Sequence, residues 1–361
     1  MIKTIKNTAY LSRTLGILPK GCQMCVKGEK LVLFITTICP RTCWFCPLSD
    51  KRKNGDKVFV NEWQTNSKDD LISEVELCQS KGAGITGGDP LSVLSRTTSY
   101  IKFLKEKKGK SFHIHLYTSF NLVNEKSMKE LYEAGLDEIR FHADLDDDKL
   151  WKNIDFATKF DWDVGIEIPM IPTKVEQIKK LCDEMSSKIK FMNLNEFEIS
   201  DTNSEKMYEN DMHEKSDISH GIIGSLDAGE EILNYVRDNY NFNVHMCSSS
   251  LKDKIQMQNR FKLRAESIKT EFDIVTDEGL LVRGCIYLKN QEKNLEKLKE
   301  KKIFLEDEGL ELFLDEKKFR LLSYPEHVEQ FSEVLKSLDL IPVIIEEDPT
   351  VEAFEVNRDY L

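Results

Sequence analysis

Along the first 250 residues, short apolar runs with a period of two alternate with longer stretches of helical period. The runs Leu31–Thr37, Gly82–Thr86, His113–Thr118, Glu138–His142, Val164–Pro169 and Phe191–Asn195 read as strands, with Phe242–Met246 as a seventh candidate. The spacers Ser67–Lys81, Thr97–Lys107, Glu125–Ala134, Lys174–Lys188 and Ala228–Asn239 read as helices. Strictly alternating β and α elements predict a parallel sheet with helices outside it. Six or seven such units are what a barrel or partial barrel uses, rather than a Rossmann sheet.

Within the strands, alternation separates two faces. Ile114 and Leu116 oppose His113, His115 and Tyr117. Ile139 and Phe141 oppose Arg140 and His142. Val164, Ile166 and Ile168 oppose Gly165, Glu167 and Pro169. Met192 and Leu194 oppose Asn193 and Asn195. The apolar faces should meet the helices, leaving a polar lumen where a closed barrel would carry Val, Ile and Leu. That lumen reads either as an internally paired polar core, such as Arg140 with Glu167, or as a site; Arg140, His115 and Glu167 are its candidate catalytic residues.

The pattern changes after residue 250. Leu251–Glu271 reads as one basic amphipathic helix. Beyond Cys285, Lys302–Leu305, Glu311–Leu314, Phe319–Ser323, Ile341–Ile345 and Ala353–Val356 read as strands, with a helix at Glu326–Leu338. The expected organisation is an N-terminal extension over 1–30, a barrel over 31–250, a basic helix and connector over 251–285, and a small α+β module over 286–361.

The net charge of −12, from 51 basic and 63 acidic residues, argues against a protein that coats nucleic acid. The acidity is uneven: the last segment from Ile286 carries 11 basic and 19 acidic residues, whereas Leu251–Thr270 carries six basic and two acidic. No apolar run is long enough to span a membrane, and no secretory leader is evident near Met1. Nine cysteines, an odd number, fit metal ligation in a reducing cytoplasm better than a disulfide framework.

Where the first strand ends, the chain reads Cys39-Pro-Arg-Thr-Cys43-Trp-Phe-Cys46. Three thiolates in one loop can hold three irons of a cubane and leave the fourth iron open. Zinc is the competing reading, but zinc sites pair two short motifs and no fourth ligand stands nearby. One β/α unit later comes Ile85-Thr86-Gly87-Gly88-Asp89-Pro90-Leu91, in which glycines permit close approach and a carboxylate could receive an ammonium group. The triplet with Phe45 before its third cysteine, and the Gly-Gly-Asp-Pro turn, resemble the radical S-adenosylmethionine superfamily, whose commoner form has Glu in place of Asp. Over roughly residues 31–200 the chain is most similar to archaeal or bacterial proteins related to glycyl-radical-enzyme activases. The resemblance implies a partial (β/α)6 TIM-like barrel, and a [4Fe–4S] cluster on Cys39, Cys43 and Cys46. It implies S-adenosylmethionine on the open iron, with Gly87, Gly88 and Asp89 at its methionine end. It also implies reductive cleavage to a 5′-deoxyadenosyl radical that abstracts hydrogen, driven by an external donor of ferredoxin or flavodoxin type. Phe45, Thr118 and Ser119 are further cofactor-binding candidates at the strand ends.

A second set of ligands is formed by Cys22-Gln-Met-Cys25 and Cys247, with either His245 or Cys285 as the fourth. Together they would complete a zinc or auxiliary cluster site, provided that the N-terminal segment wraps over the barrel. Cys78 and Cys182, in helical patterns, read as core. The substrate class stays open. Lys51-Arg52-Lys53 with Lys252, Lys254, Arg260, Lys262 and Arg264 would suit the phosphates of an RNA such as tRNA. The resemblance to activases suits a protein partner, and the polar lumen suits a small charged metabolite. A non-catalytic iron–sulfur or zinc scaffold is the remaining alternative.

Overall fold

The computed structural model describes residues 3–49, 55–65, 67–216 and 219–361. Lys51-Arg52-Lys53 lies outside the described residues. The chain divides into two compact units, Met1–Glu76 with Ser80–Met257, and Leu77–Gln79 with Gln258–Leu361. The boundary falls after Met257, inside the segment expected as a basic helix and connector.

In the first unit the strands are β1 (Ile5–Asn7), β2 (Arg13–Leu15), β3 (Lys30–Phe34), β4 (Val58–Val60), β5 (Trp63–Thr65), β6 (Gly82–Thr86), β7 (His113–Ser119), β8 (Glu138–His142), β9 (Asp163–Met170) and β10 (Phe191–Glu196), then a small hairpin of β11 (Glu214–Ser216) and β12 (Ser219–Ile222), and finally β13 (Asn243–Cys247). The main sheet runs β1-β2-β13-β10-β9-β8-β7-β6-β3-β4-β5. From β3 to β13 the pairings are all parallel. The chain thus builds six parallel strands plus the anticipated seventh. The sheet does not close by hydrogen bonds: β2 pairs antiparallel with β13, and β4 pairs antiparallel with β3. A hairpin covers each edge of the parallel set, which protects its unpaired backbone groups.

The helices form where period and end signals agree. Glu125–Ala134 opens on a capping box between Asn124 and Ser127 and closes on Gly135, whose φ of 99° supplies the left-handed cap. Leu94–Lys108, Val175–Met185 and Ser225–Asn239 cover the apolar strand faces. Ile114, Leu116, Ile139, Phe141, Ile166, Ile168, Met192 and Leu194 are buried with Met128, Leu131, Leu181 and Val236. Each such side chain contributes about 1.5–3 kcal/mol by leaving water. The polar residues are consequently turned to the lumen, as the alternation predicts.

The second unit holds β14 (Ile274–Val275), β15 (Leu281–Leu288), β16 (Phe313–Asp315), β17 (Arg320–Ser323), β18 (Leu340–Glu347) and β19 (Glu355–Tyr360) in an antiparallel sheet ordered β16-β17-β15-β18-β19, with β14 beside β15. Several expectations are corrected here. Lys302–Leu305 is not a strand but part of the helix Leu295–Asp307. The helical period buries Leu298 and Leu305 and leaves Ile303 and Phe304 exposed, so a short apolar run misleads. Strand β15 crosses Cys285 and is the centre of the sheet, with Cys285 paired to Leu322 and Val343. Cys285 is therefore core, as are Cys78 and Cys182. Glu326–Leu338 is two short helices, Pro325–Gln330 and Ser332–Ser337. Leu251–Glu271 is not one amphipathic helix: Lys252–Met257 is π-helical and Gln258–Ile268 follows as an α-helix.

Candidate functional site

At the C-terminal end of β3 the chain enters the loop that carries Cys39, Cys43 and Cys46. Cys39 and Cys46 are exposed and Cys43 half-buried, all free thiols. The loop is bound to the Gly-Gly-Asp-Pro turn through its backbone: Gly88 N–H donates to Thr36 O at 2.8 Å, and Asp89 N–H to Ile38 O at 2.8 Å. A Cβ on Gly87 would lie 2.4 Å from Thr36 O, and one on Gly88 2.4 Å from Ile38 O. These glycines permit contact between two loops, not only approach to a ligand. Arg41 ties the cysteine loop to the end of β8, donating to His142 O at 3.2 Å and pairing with Asp144 at 3.0 Å.

Asp89 does not stand open to receive an ammonium group. It is 1% exposed, and its carboxylate accepts from Leu91 N–H (3.0 Å), Thr118 Oγ1 (2.7 Å), Ser119 N–H (3.1 Å) and Ser119 Oγ (2.6 Å). Thr118 and Ser119 are themselves buried and hold this carboxylate. Asp is one methylene shorter than Glu, so its carboxylate stays against the end of β7 and anchors the turn.

A cavity of about 370 Å³ opens beside the cysteine loop. Its walls include Cys43, Phe45, Asn121, His142, Asp144 and Lys174. Phe45 packs edge-on against Trp44 and Phe197, and Asn203 Nδ2 donates to Phe45 O at 3.0 Å, which fixes this wall. Burial, reinforced by the Arg41 guanidinium, lowers His142 to about 4, so its imidazole is neutral at pH 7. The volume lies within the range of small-molecule sites.

Below the cavity lies the polar lumen. Arg140 donates to Glu167 Oε2 at 2.6 Å, to Glu138 Oε1 at 2.5 Å and to Tyr117 Oη at 3.3 Å. Asn193 and Asn195 donate to Glu167 at 2.8 and 3.0 Å. His115 Nε2 lies 3.2 Å from Tyr117 Oη. Burial alone would raise the Glu167 carboxyl, but Arg140 and the two amides prevail and hold it down to about 2. Burial and the nearby Arg140 keep His115 neutral. The lumen thus carries an ionised pair beside a neutral imidazole, a fixed polar frame rather than a base poised near pH 7. Arg140 and His115 are wholly buried; Glu167, 14% exposed by side chain, is the member that solvent reaches. Arg140 is a positioning residue in this arrangement.

The floor of the lumen is closed by the six-residue helix Lys20–Cys25. A Cβ on Gly21 would lie 2.6 Å from both Arg140 Nη2 and His115 Nδ1. Asn193 Nδ2 lies 3.3 Å from Cys22 Sγ. The N-terminal segment therefore wraps to the barrel as the second ligand set requires. His245 Nε2 faces Ser12 Oγ at 3.1 Å, which leaves its buried Nδ1 without a partner among the described residues. Among the described residues, no three His, Cys, Asp or Glu side chains converge as they would around a single ion. Two lumen residues escaped the sequence reading. Glu138 shares its strand face with Arg140 and was legible from that register. Lys30 is hidden in an otherwise apolar strand.

The strand order and the two loops at the strand ends define a class. The chain belongs to the radical SAM superfamily, whose profile matches residues 33–190. A Methanocaldococcus jannaschii protein that carries the provisional name glycyl-radical enzyme activating enzyme is 38% identical over 360 residues, covering 97% of this chain and 94% of the relative. Among solved structures, methylornithine synthase (PylB) is 12% identical with a TM-score of 0.40, covering 61% of this chain and 71% of that one. Coproporphyrinogen III oxidase (HemN) of Escherichia coli is 11% identical with a TM-score of 0.37, covering 62% of this chain and 56% of that one. The protein is a radical SAM enzyme with a partial TIM-like barrel. Membership implies a [4Fe–4S] cluster and S-adenosylmethionine, and three free thiols on an accessible loop are a donor set that fits such a cluster.

Proposed function

We propose that Cys39, Cys43 and Cys46 carry the [4Fe–4S] cluster, that S-adenosylmethionine fills the cavity beside Cys43, and that hydrogen is abstracted from a small polar substrate presented near Glu167. When bound and reduced, the cluster supplies the electron that cleaves S-adenosylmethionine. One observation carries the reading: Cys43 and the adjoining residues of its loop form a wall of the cavity. The main chain of Gly87–Asp89, hydrogen-bonded to the start of the cysteine loop, would meet the methionine end, with the Asp89 carboxylate anchoring the turn. Phe45 and the neutral His142 give the cavity a partly apolar wall, and Arg41 holds that wall to β8. Glu167, ionised and oriented by Arg140, offers the substrate an acceptor. An external electron donor of ferredoxin or flavodoxin type suits the cytoplasm expected from the cysteine usage. Among the described residues no helix is long and apolar enough to cross a membrane.

A second reading, hydrogen abstraction from a glycine of a partner enzyme, is favoured by the name of the M. jannaschii relative. An RNA substrate has less support. Arg260 and Arg264 are buried in the second unit, and Lys252 of the first pairs with Glu198 at 2.8 Å, so these three cations are not open to phosphates. Anaerobic reconstitution with reductant tests the proposal. The intact chain should release 5′-deoxyadenosine and methionine, and Cys43→Ala should release neither. An iron-loaded chain that binds S-adenosylmethionine but forms no 5′-deoxyadenosine would favour the non-catalytic scaffold. Deuterium passing into 5′-deoxyadenosine from a labelled partner protein would move the substrate to the activase class.

A further inference from the structure

Outside the mouth, the chemistry-bearing residues gather at the floor of the lumen. The helix Lys20–Cys25 enters there from the N-terminal ends of the strands, with Gly21 N–H 3.4 Å from Glu138 Oε2 and Met24 against Gly82. Cys22 and Cys25 are one helical turn apart and so share a side of this helix. Cys22 reaches Asn193 on β10. Asn193 is paired in register with His245, and Asn195 with Cys247, so Cys247 stands on the lumen face of the next strand, one pair further along. Residues more than 200 positions apart in sequence are thereby brought to one wall.

From this juxtaposition we infer that Cys22, Cys25 and Cys247 hold a second iron–sulfur cluster, with His245 Nδ1 as the remaining donor on the wall. His245 Nδ1 is buried with no hydrogen-bond partner, as is Asn193 Oδ1. The Lys30 side chain, 7% exposed, has no hydrogen bond or ion pair among the described residues. Cys25 lies within reach of its charge, and a metal-bound thiolate there would pair with it. Among the described residues these ligands do not converge on one point as a single zinc ion would need. A cluster accepts one ligand on each of several irons and tolerates the wider spacing.

The test is iron, sulfide and zinc per full chain after anaerobic purification, supported by Mössbauer spectra. About eight irons are expected in the unaltered protein, and about four in the variant with Cys39, Cys43 and Cys46 all changed to Ala. That variant leaves the floor untouched, so a folding failure of floor variants cannot obscure the result. Cys25→Ser, at a half-buried position, should lose iron while the mouth cluster and its response to S-adenosylmethionine persist. About four irons in the unaltered chain and none in the mouth variant would overturn the inference, as would zinc in place of the second set of irons. Loss of the mouth cluster alone would instead overturn the proposed function, so the two failures are distinguishable.

Discussion

At the residue scale, Glu167 is the lumen's most informative group. Its carboxyl is held to about 2 against an ordinary value of 4.5. A depressed carboxyl contributes stability that is fully present above pH 4.5 and is lost as pH falls toward 2. The shift corresponds to on the order of 3 kcal/mol. Urea unfolding of Glu167→Gln should show about that loss at pH 7, and a correspondingly smaller loss between pH 4.5 and 2. Equal acid sensitivity in variant and parent would assign the effect elsewhere. Arg140→Met is expected to cost more, about 3–5 kcal/mol, because Glu138 and Glu167 would both stay buried without their cation. The alternation of strand residues made Arg140, His115, Glu167, Asn193 and Asn195 legible as lumen residues. It could not show which of them solvent reaches, since exposure depends on the helix Lys20–Cys25 beneath them. The saturation of Asp89 by Thr118 and Ser119 was equally hidden, because β7 meets the turn only in three dimensions.

At the element scale, the two loops at the mouth act as one piece. Gly88→Ala would push a methyl group into Ile38 O and Thr37 O, both backbone atoms that cannot turn aside. The cysteine loop would have to shift, at a cost of about 1–3 kcal/mol. Iron content should fall well below that of the parent while circular dichroism stays unchanged; full iron loading in this variant would refute the coupling. The helices and strands of the barrel were legible because period, caps and turn residues agree, as at Asn124 and Gly135. The helix Leu295–Asp307 was not, since Lys302–Leu305 presents a short apolar run that fits either state.

At the scale of the whole molecule, charge distribution governs partners. The chain is at −12, and of the described cations expected to frame a polyanion Arg260 and Arg264 are buried and Lys252 is paired. Filter binding should therefore detect no salt-dependent retention of tRNA at physiological ionic strength; a steep salt slope would reinstate the RNA reading. In the second unit, Arg320 is fully buried between Asp315 and Glu347, each at 2.8 Å, and Arg283 pairs with Asp273 at 2.9 Å. Arg320→Met should lower stability by about 3–5 kcal/mol, read as a fall in the unfolding midpoint.

The sequence by itself determined the alternation of elements, the polar face of each strand, the cysteine triplet and the glycine turn, because these are set by local period and spacing. Only the tertiary structure decided that Asp89 is an anchor, that Arg140 and His115 lie under a helical floor, and that Cys247 rises on the wall reached by Cys22. Those facts arise from contacts between segments distant along the chain, where packing and the need to pair buried charge select among arrangements that local pattern leaves equivalent.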